Sequence, residues 1–261
     1  MNKSKKDKIS KFLKESNISL NEILDLIETK FSIFELDFAN LDLHRENRTL
    51  IPEIIFCENK KEDQIFTIIK THLKERELVI GTRCQEKTLK KIKNTYKNSV
   101  ISEEGRAFLI GKPKEIIKFK AGLICAGTTD IPVCEEASIV LKGLGVPHEK
   151  FYDIGVAGIH RLFSKVDKIK QCDVLIVAAG MEGALPSVVG GLFHQPIIAI
   201  PTSIGYGTAL NGFTALFAML TSCSPGITVV NINNGVGAAT AAYKILKFAE
   251  NKVAEKQNSS K

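Results

Sequence analysis

Apolar residues recur at helical spacing over Ile9–Leu13 and Leu20–Ile27, with Ser19 or Asn21 placed to cap the second run. Glu53–Cys57 reads as a short strand and Glu62–Leu73 as an amphipathic helix. Leu78–Gly81 and Ala107–Ile110 read as further strands around a helix at Gln85–Lys93, so a small α/β unit ends near Lys118. Beyond residue 120 the spacing changes. Unbroken apolar runs at Lys120–Cys125, Val174–Ala178, Ile197–Ile200 and Ile227–Ile232 alternate with helical stretches such as Glu135–Leu144, Ala184–Leu192 and Thr208–Leu220. Strands buried on both faces lose the polar alternation of a half-exposed sheet. The series therefore predicts an α/β fold with a doubly wound parallel sheet, Rossmann- or flavodoxin-like, behind a smaller N-terminal α/β domain. The expected division is 1–118, 119–250 and a disordered polar tail over 251–261.

Composition narrows the class. The 261 residues are 44% hydrophobic and 25% charged, the balance of a globular chain, with a net charge of +7. Such charge suits nucleic acid or any phosphate-bearing ligand. The lysines, however, concentrate before residue 120 among Glu and Asp, and there is no Trp for a stacking platform, so nucleic acid is not expected as a partner. Cys57, Cys84, Cys125, Cys134, Cys172 and Cys223 form no CxxC pair, which argues against a zinc ribbon or a thioredoxin motif. Met1–Ser10 lacks the apolar run of a signal peptide, and no segment has the ~18 uninterrupted apolar residues of a membrane span. A reducing cytoplasm is the expected location.

From Val174 to Tyr243 the only Lys, Arg, Asp or Glu is Glu182. Gly and Pro interrupt this stretch too often for a membrane, so contacts between copies are expected to bury part of it. Each strand run there, and Lys120–Cys125 before it, ends in a loop of small or hydroxyl residues, and in a parallel sheet those loops share the ligand-binding edge. Gly127, Thr128 and Thr129 come from the first loop, and Gly180, Met181 and Gly183 from the second. Ser203, Gly205, Tyr206 and Gly207 come from the third, and Asn234 from the fourth. Any one such loop is an ordinary strand-to-helix turn; four together point to a nucleotide site. None matches the P-loop or the G-x-G-x-x-G fingerprint. Asp130 reads either as an N-cap for the helix opening at Pro132 or as a ligand for a ribose hydroxyl or a metal-bound water. Glu182, alone in an apolar stretch, reads as a buried carboxylate that should meet a cation, a metal or hydrogen-bond donors. Asp153, His160 and Arg161 frame another Gly-rich turn and could meet a phosphate or carboxylate, or form a surface helix face. Cys223, in Thr221-Ser-Cys-Ser-Pro-Gly226, reads as a spacer at a helix end or as a nucleophile.

At these residues the chain resembles the LarB family of pyridinium-3,5-biscarboxylic acid mononucleotide synthases. Its C-terminal half is also similar to the PurE aminoimidazole ribonucleotide carboxylases and mutases. The resemblance spans about residues 20 to 245. It is carried by Ala126-Gly-Thr-Thr-Asp-Ile-Pro132, Asp153-Ile-Gly-Val-Ala-Gly-Ile-His-Arg161 and Ala179-Gly-Met-Glu-Gly-Ala-Leu-Pro186. Pro201-Thr-Ser-Ile-Gly-Tyr-Gly207, the Cys223 segment and Leu36–Arg48 complete it. It implies a PurE-like sheet, a nickel-pincer nucleotide pathway, and nicotinic acid adenine dinucleotide, CO2 or bicarbonate, and water as substrates. It also implies Cys223 as the catalytic nucleophile. Phosphoanhydride cleavage needs charge neutralised at phosphate oxygens and an oriented water, so a divalent ion such as Mg2+ is expected, with Glu182 and Asp130 as the candidate catalytic residues to hold it or its water. The assembly it implies is a homo-oligomer, an octamer as in PurE proteins. PurE proteins carry a proton-transferring His just before the Leu-Pro of the motif; here that position is Ala184. The alternatives are a purine-pathway carboxylase or mutase, and a non-catalytic nucleotide-binding regulator. Asp42, His44, Arg45 and Arg48 match a family motif and could meet the dinucleotide or lie on a solvated face.

Overall fold

The computed structural model describes Ser19 and residues 34–259. The helices expected at Ile9–Leu13 and Leu20–Ile27 lie outside the described residues. Two compact bodies divide the chain, one up to Glu53 and the other from Ile54 onward. In the first, β1 (Phe34–Leu36) and β2 (Ala39–Leu41) form an antiparallel hairpin followed by a short helix, α1 (Arg45–Thr49). Asp42 here accepts from Arg45 at 3.1 Å and from Arg48 at 2.6 Å. Burial tends to raise the Asp42 pKa, but these two arginines outweigh it and hold the carboxyl below its ordinary range. The charges of this motif thus engage one another.

The second body contains two sheets. The small one orders β3 (Ile54–Phe56), β4 (Val79–Thr82), β6 (Ala107–Ile110) and β5 (Ser99–Ser102). Its β3–β4 pair is parallel and the other pairs are antiparallel. Helices α2 (Glu62–Glu75) and α3 (Glu86–Thr95) connect its strands. The large sheet is parallel throughout: β7 (Ala121–Cys125), β8 (His148–Phe151), β9 (Val174–Ala179), β10 (Ile197–Pro201) and β11 (Ile227–Val229), in the order β11-β10-β9-β7-β8. Every residue of β7, β9 and β10 is buried, which is why these strands read as continuous apolar runs. Helices α4 (Ile131–Gly143), α5 (Ile159–Phe163), α6 (Val166–Ile169), α7 (Leu185–Leu192), α8 (Phe213–Leu220) and α9 (Gly235–Ser259) complete it.

Both sheets lie within the second body. Helix α4 touches β7 of the large sheet and β4, β5 and β6 of the small one, so both sheets bury against it. A helix covered on opposite sides has no polar face, and α4 is buried nearly all round. Its Glu136 is the exception: a carboxylate 4% exposed, accepting from Arg83 Nε at 2.7 Å and from Gly235 N–H at 3.1 Å.

Other differences have local causes. Strands β5 and β8 escaped the apolar pattern because Ser99-Val-Ile-Ser and His148-Glu-Lys-Phe are half polar, and both are edge strands. The helix expected at Thr208–Leu220 is broken by left-handed backbone at Leu210 and Asn211, so α8 begins only at Phe213. Strand β11 stops at Val229, three residues early. The polar tail expected to be disordered from 251 continues α9 to Ser259. Lys252–Glu255 and Lys247–Glu250 pairs lie one turn apart, and Glu250 accepts the Lys118 N–H at 3.0 Å.

Replacing Arg83 by Met should strand Glu136 beneath the small sheet and cost about 3–5 kcal/mol at neutral pH. Burial already raises the Glu136 pKa against the pull of Arg83. A raised carboxyl is relieved by protonation, so the loss should shrink as pH falls through that pKa. Urea unfolding at neutral and acidic pH checks this, and adding Glu136→Leu should recover most of the loss at neutral pH.

Candidate active site

Strand β7 has β8 on one side and β9 on the other, so successive connections leave it in opposite directions. The crevice at the carboxyl ends of such strands is where open α/β sheets bind ligands. A cleft of about 270 Å3 opens there, lined by the loops after β7, β8 and β9. Gly127, Thr129, Asp130, Asp153, Arg161, Gly180, Met181 and Glu182 line it, as does Ala184.

Asp130 is the fixed point of this cleft. It is 3% exposed, and its Oδ2 accepts the Gly127 N–H at 2.9 Å while its Oδ1 accepts from Thr202 at 2.6 Å. Its side chain makes no cap bond to the helix that follows; it closes the Gly127 turn and ties the β7 loop to the β10 loop across β9. Burial raises its pKa, and the bonds from Thr202, Gly127 and Gly180 only partly offset this, so the site holds a carboxylate with increased proton affinity. Gly180 is required by packing: an added Cβ would stand 2.4 Å from the Ile204 carbonyl oxygen. Asp153 has left-handed backbone and meets Arg161 at 2.6 Å across the cleft wall.

Glu182 lines the cleft but is exposed rather than buried, so the cost that would demand a partner is absent. Several candidates fall elsewhere. His160 and Thr128 are exposed and line no described cleft. Gly183 is buried against Ala215, and Gly205, Tyr206 and Gly207 are exposed outside the cleft. Asn234 accepts the Gly237 N–H at 2.7 Å and serves the start of α9. Its neighbour Asn233 holds Ser203, accepting the Ser203 N–H at 2.9 Å and donating its amide to the Ser203 hydroxyl at 2.7 Å. Cys223 is exposed, while the other five thiols are buried. It does not line the cleft, but Ser222 beside it bonds Ser187 at 2.7 Å, two residues beyond the cleft residue Leu185.

Thr202, Asn233 and Arg83 were not among the candidates. Thr202 stood inside a motif already quoted, and its importance comes from a buried contact 72 residues away in sequence. No group of three or more His, Cys, Asp or Glu suited to a metal occurs among the described residues. Asp130, Asp153 and Glu182 are the carboxylates that line the cleft, and both Asp130 oxygens already accept hydrogen bonds, so Glu182 is the one most open to a metal.

Residues 33–112 match the LarB/PurE-like N-terminal domain, and residues 120–261 match AIR carboxylase. The chain belongs to the LarB family. An uncharacterized protein of Methanocaldococcus jannaschii is 39% identical over 257 residues, covering 95% of this chain and 99% of that one. The N5-carboxyaminoimidazole ribonucleotide mutase of the same organism is 33% identical over 139 residues, 51% of this chain and 83% of the mutase. A crystal structure of a PurE2 variant from Treponema denticola covers 54% of this chain and 89% of its own at 20% identity, with a TM-score of 0.43. The LarB-family chain thus has a PurE-like C-terminal region related to carboxylases and mutases. Among its described residues no helix is long and apolar enough to cross a membrane.

Thr202→Val keeps the shape and removes the donor to Asp130. The expected loss is about 1–3 kcal/mol at neutral pH. The variant raises the Asp130 pKa further, so the loss should fade as pH drops and the carboxyl becomes neutral. Denaturant unfolding at two pH values measures it; a pH-independent loss would mean that the bond does not depend on the charge.

Proposed function

We propose that this LarB-family protein carboxylates the pyridinium ring of nicotinic acid adenine dinucleotide at C5 and cleaves its phosphoanhydride. The products are AMP and pyridinium-3,5-biscarboxylic acid mononucleotide, the first committed step towards a nickel-pincer nucleotide. The observation that carries the reading is the change of chemistry at the PurE-like cleft. Ala184 lines it where PurE proteins have a proton-transferring His, and an exposed thiol, Cys223, lies on a loop tied to the adjoining helix.

An electron-poor pyridinium does not attack CO2. Addition of the Cys223 thiolate to C4 forms a C–S bond and gives a dihydropyridine, whose C5 is an enamine carbon. C5 bonds to CO2, its proton leaves to a base, and the electron pair restores aromaticity as the C–S bond breaks. Asp130, with its raised proton affinity, suits the role of base. Arg161 and the Gly127 turn suit the nucleotide phosphate. A divalent ion, Mg2+ by its preference for oxygen, would arrive with the diphosphate; bound, it neutralises phosphate oxygens and orients water, with Glu182 as its accessible carboxylate. The protein acts in the cytoplasm, on small molecules rather than nucleic acid.

Copies of the chain assemble in this reading. Phe213, Phe217 and Leu220 of α8 are exposed, with Tyr206 81% and Leu210 64% exposed just before them. Such apolar groups on one short segment suit a subunit contact, and an octamer is the state the family resemblance implies.

Incubation with the dinucleotide, bicarbonate and Mg2+, followed by product mass, tests the function. Cys223→Ser should lose carboxylation and keep dinucleotide binding; full carboxylation by that variant removes the thiol from the mechanism. Rescue of a purine auxotroph would instead favour an aminoimidazole ribonucleotide carboxylase or mutase. Binding without turnover would favour a regulator. Phe217→Asp should reduce the mass measured by light scattering.

A further inference from the structure

We infer that the small sheet supplies a second anion subsite, centred on Arg106, that takes the 5′-phosphate of the adenylate half of the dinucleotide. The strand-end cleft, at about 270 Å3, lies below the ~300–1,000 Å3 typical of small-molecule pockets and leaves little room for two nucleotides. A second cleft of about 210 Å3 adjoins it, and Thr129 and Ile204 line both. Ser203 and Asn233 form part of its wall on the large-sheet side, and Arg83, Glu104 and Arg106 face them from the small-sheet side.

The two arginines are in different states. Arg83 is spent on Glu136 and on the Asn233 carbonyl. Arg106 donates Nε to the Cys84 carbonyl at 3.1 Å and Nη2 to the Arg83 carbonyl at 3.3 Å. It makes no salt bridge among the described residues. Neutral carbonyls fix the guanidinium in place without cancelling its charge, and its remaining N–H groups are free for an oxyanion. The turn that carries it cannot drift. An added Cβ on Gly105 would stand 2.6 Å from backbone atoms of Glu135 and Glu136, so this turn is pressed onto α4. Of the acidic groups at this cleft, Glu136 is neutralised by Arg83. Exposed Glu104 opposes an anion and so weakens the subsite.

The identity of the ligand rests on the dinucleotide reading above; the anion subsite itself does not. Calorimetry with AMP, adenosine and nicotinic acid mononucleotide tests it on the wild type, Arg106→Gln and Glu104→Gln. Losing a charge-assisted bond should weaken AMP roughly ten- to hundredfold in Arg106→Gln. Adenosine and mononucleotide affinities should stay within about twofold. Glu104→Gln, which leaves the arginine tether untouched, should bind AMP more tightly. AMP and the mononucleotide should bind together without competing. Equal AMP affinity in wild type and Arg106→Gln, AMP binding insensitive to Glu104→Gln, or full competition between the two nucleotides would each overturn the subsite. Arg106-dependent AMP binding without dinucleotide turnover would keep the subsite and refute the proposed function. Turnover with Arg106-independent AMP binding would do the reverse.

Discussion

The Glu136 carboxylate lies between two sheets, where an isolated charge could not persist, and the arrangement around it follows from satisfying that charge. Arg83, from the end of β4, supplies the cation and Gly235, at the start of α9, supplies an N–H. Glu136 itself belongs to α4, the helix that both sheets cover. One buried group therefore fixes the small sheet, the helix it packs on and the entry to α9. Arg83 extends the tie to the Asn233 carbonyl, and Asn233 in turn holds Ser203. The small sheet is in this way anchored to the loop edge of the large one.

A second buried carboxylate does comparable work at the cleft. Asp130 joins the loops after β7 and β10, strands that are not neighbours, by reaching over β9 to Thr202. A preorganised acidic group results, with its orientation set by donors on two loops and its proton affinity raised by burial. Around it the Gly127 turn, the Asp153–Arg161 pair and the close Gly180 approach shape the cleft. Two acidic side chains with opposite exposure thus share one cleft, Asp130 enclosed and Glu182 open to solvent.

Much of the architecture was legible in the residue pattern. Strands buried on both faces must be apolar throughout, so β7, β9 and β10 could be read almost to their ends. Edge strands β5 and β8 escaped because one exposed side permits Ser, His, Glu and Lys. The loops Gly127–Asp130 and Gly180–Glu182 were legible too, since close backbone turns demand small residues there. The burial of Glu182 was misjudged because an uncharged neighbourhood along the chain is not an enclosed one in space. Asn234 was preferred to Asn233 for a related reason: adjacent identical residues differ only in where the backbone aims them.

What the chain determined by itself was local: periodicity, turn chemistry, and which segments had to be covered from water. These follow from interactions between residues close in sequence and from the cost of exposing apolar surface. Partnerships between distant residues were decided only in three dimensions. Arg83 with Glu136, Asp130 with Thr202, and the meeting of two clefts at Thr129 and Ile204 leave no mark in local sequence. A side chain's charge state and role depend on the groups packed against it, and those are chosen by the topology of the sheets.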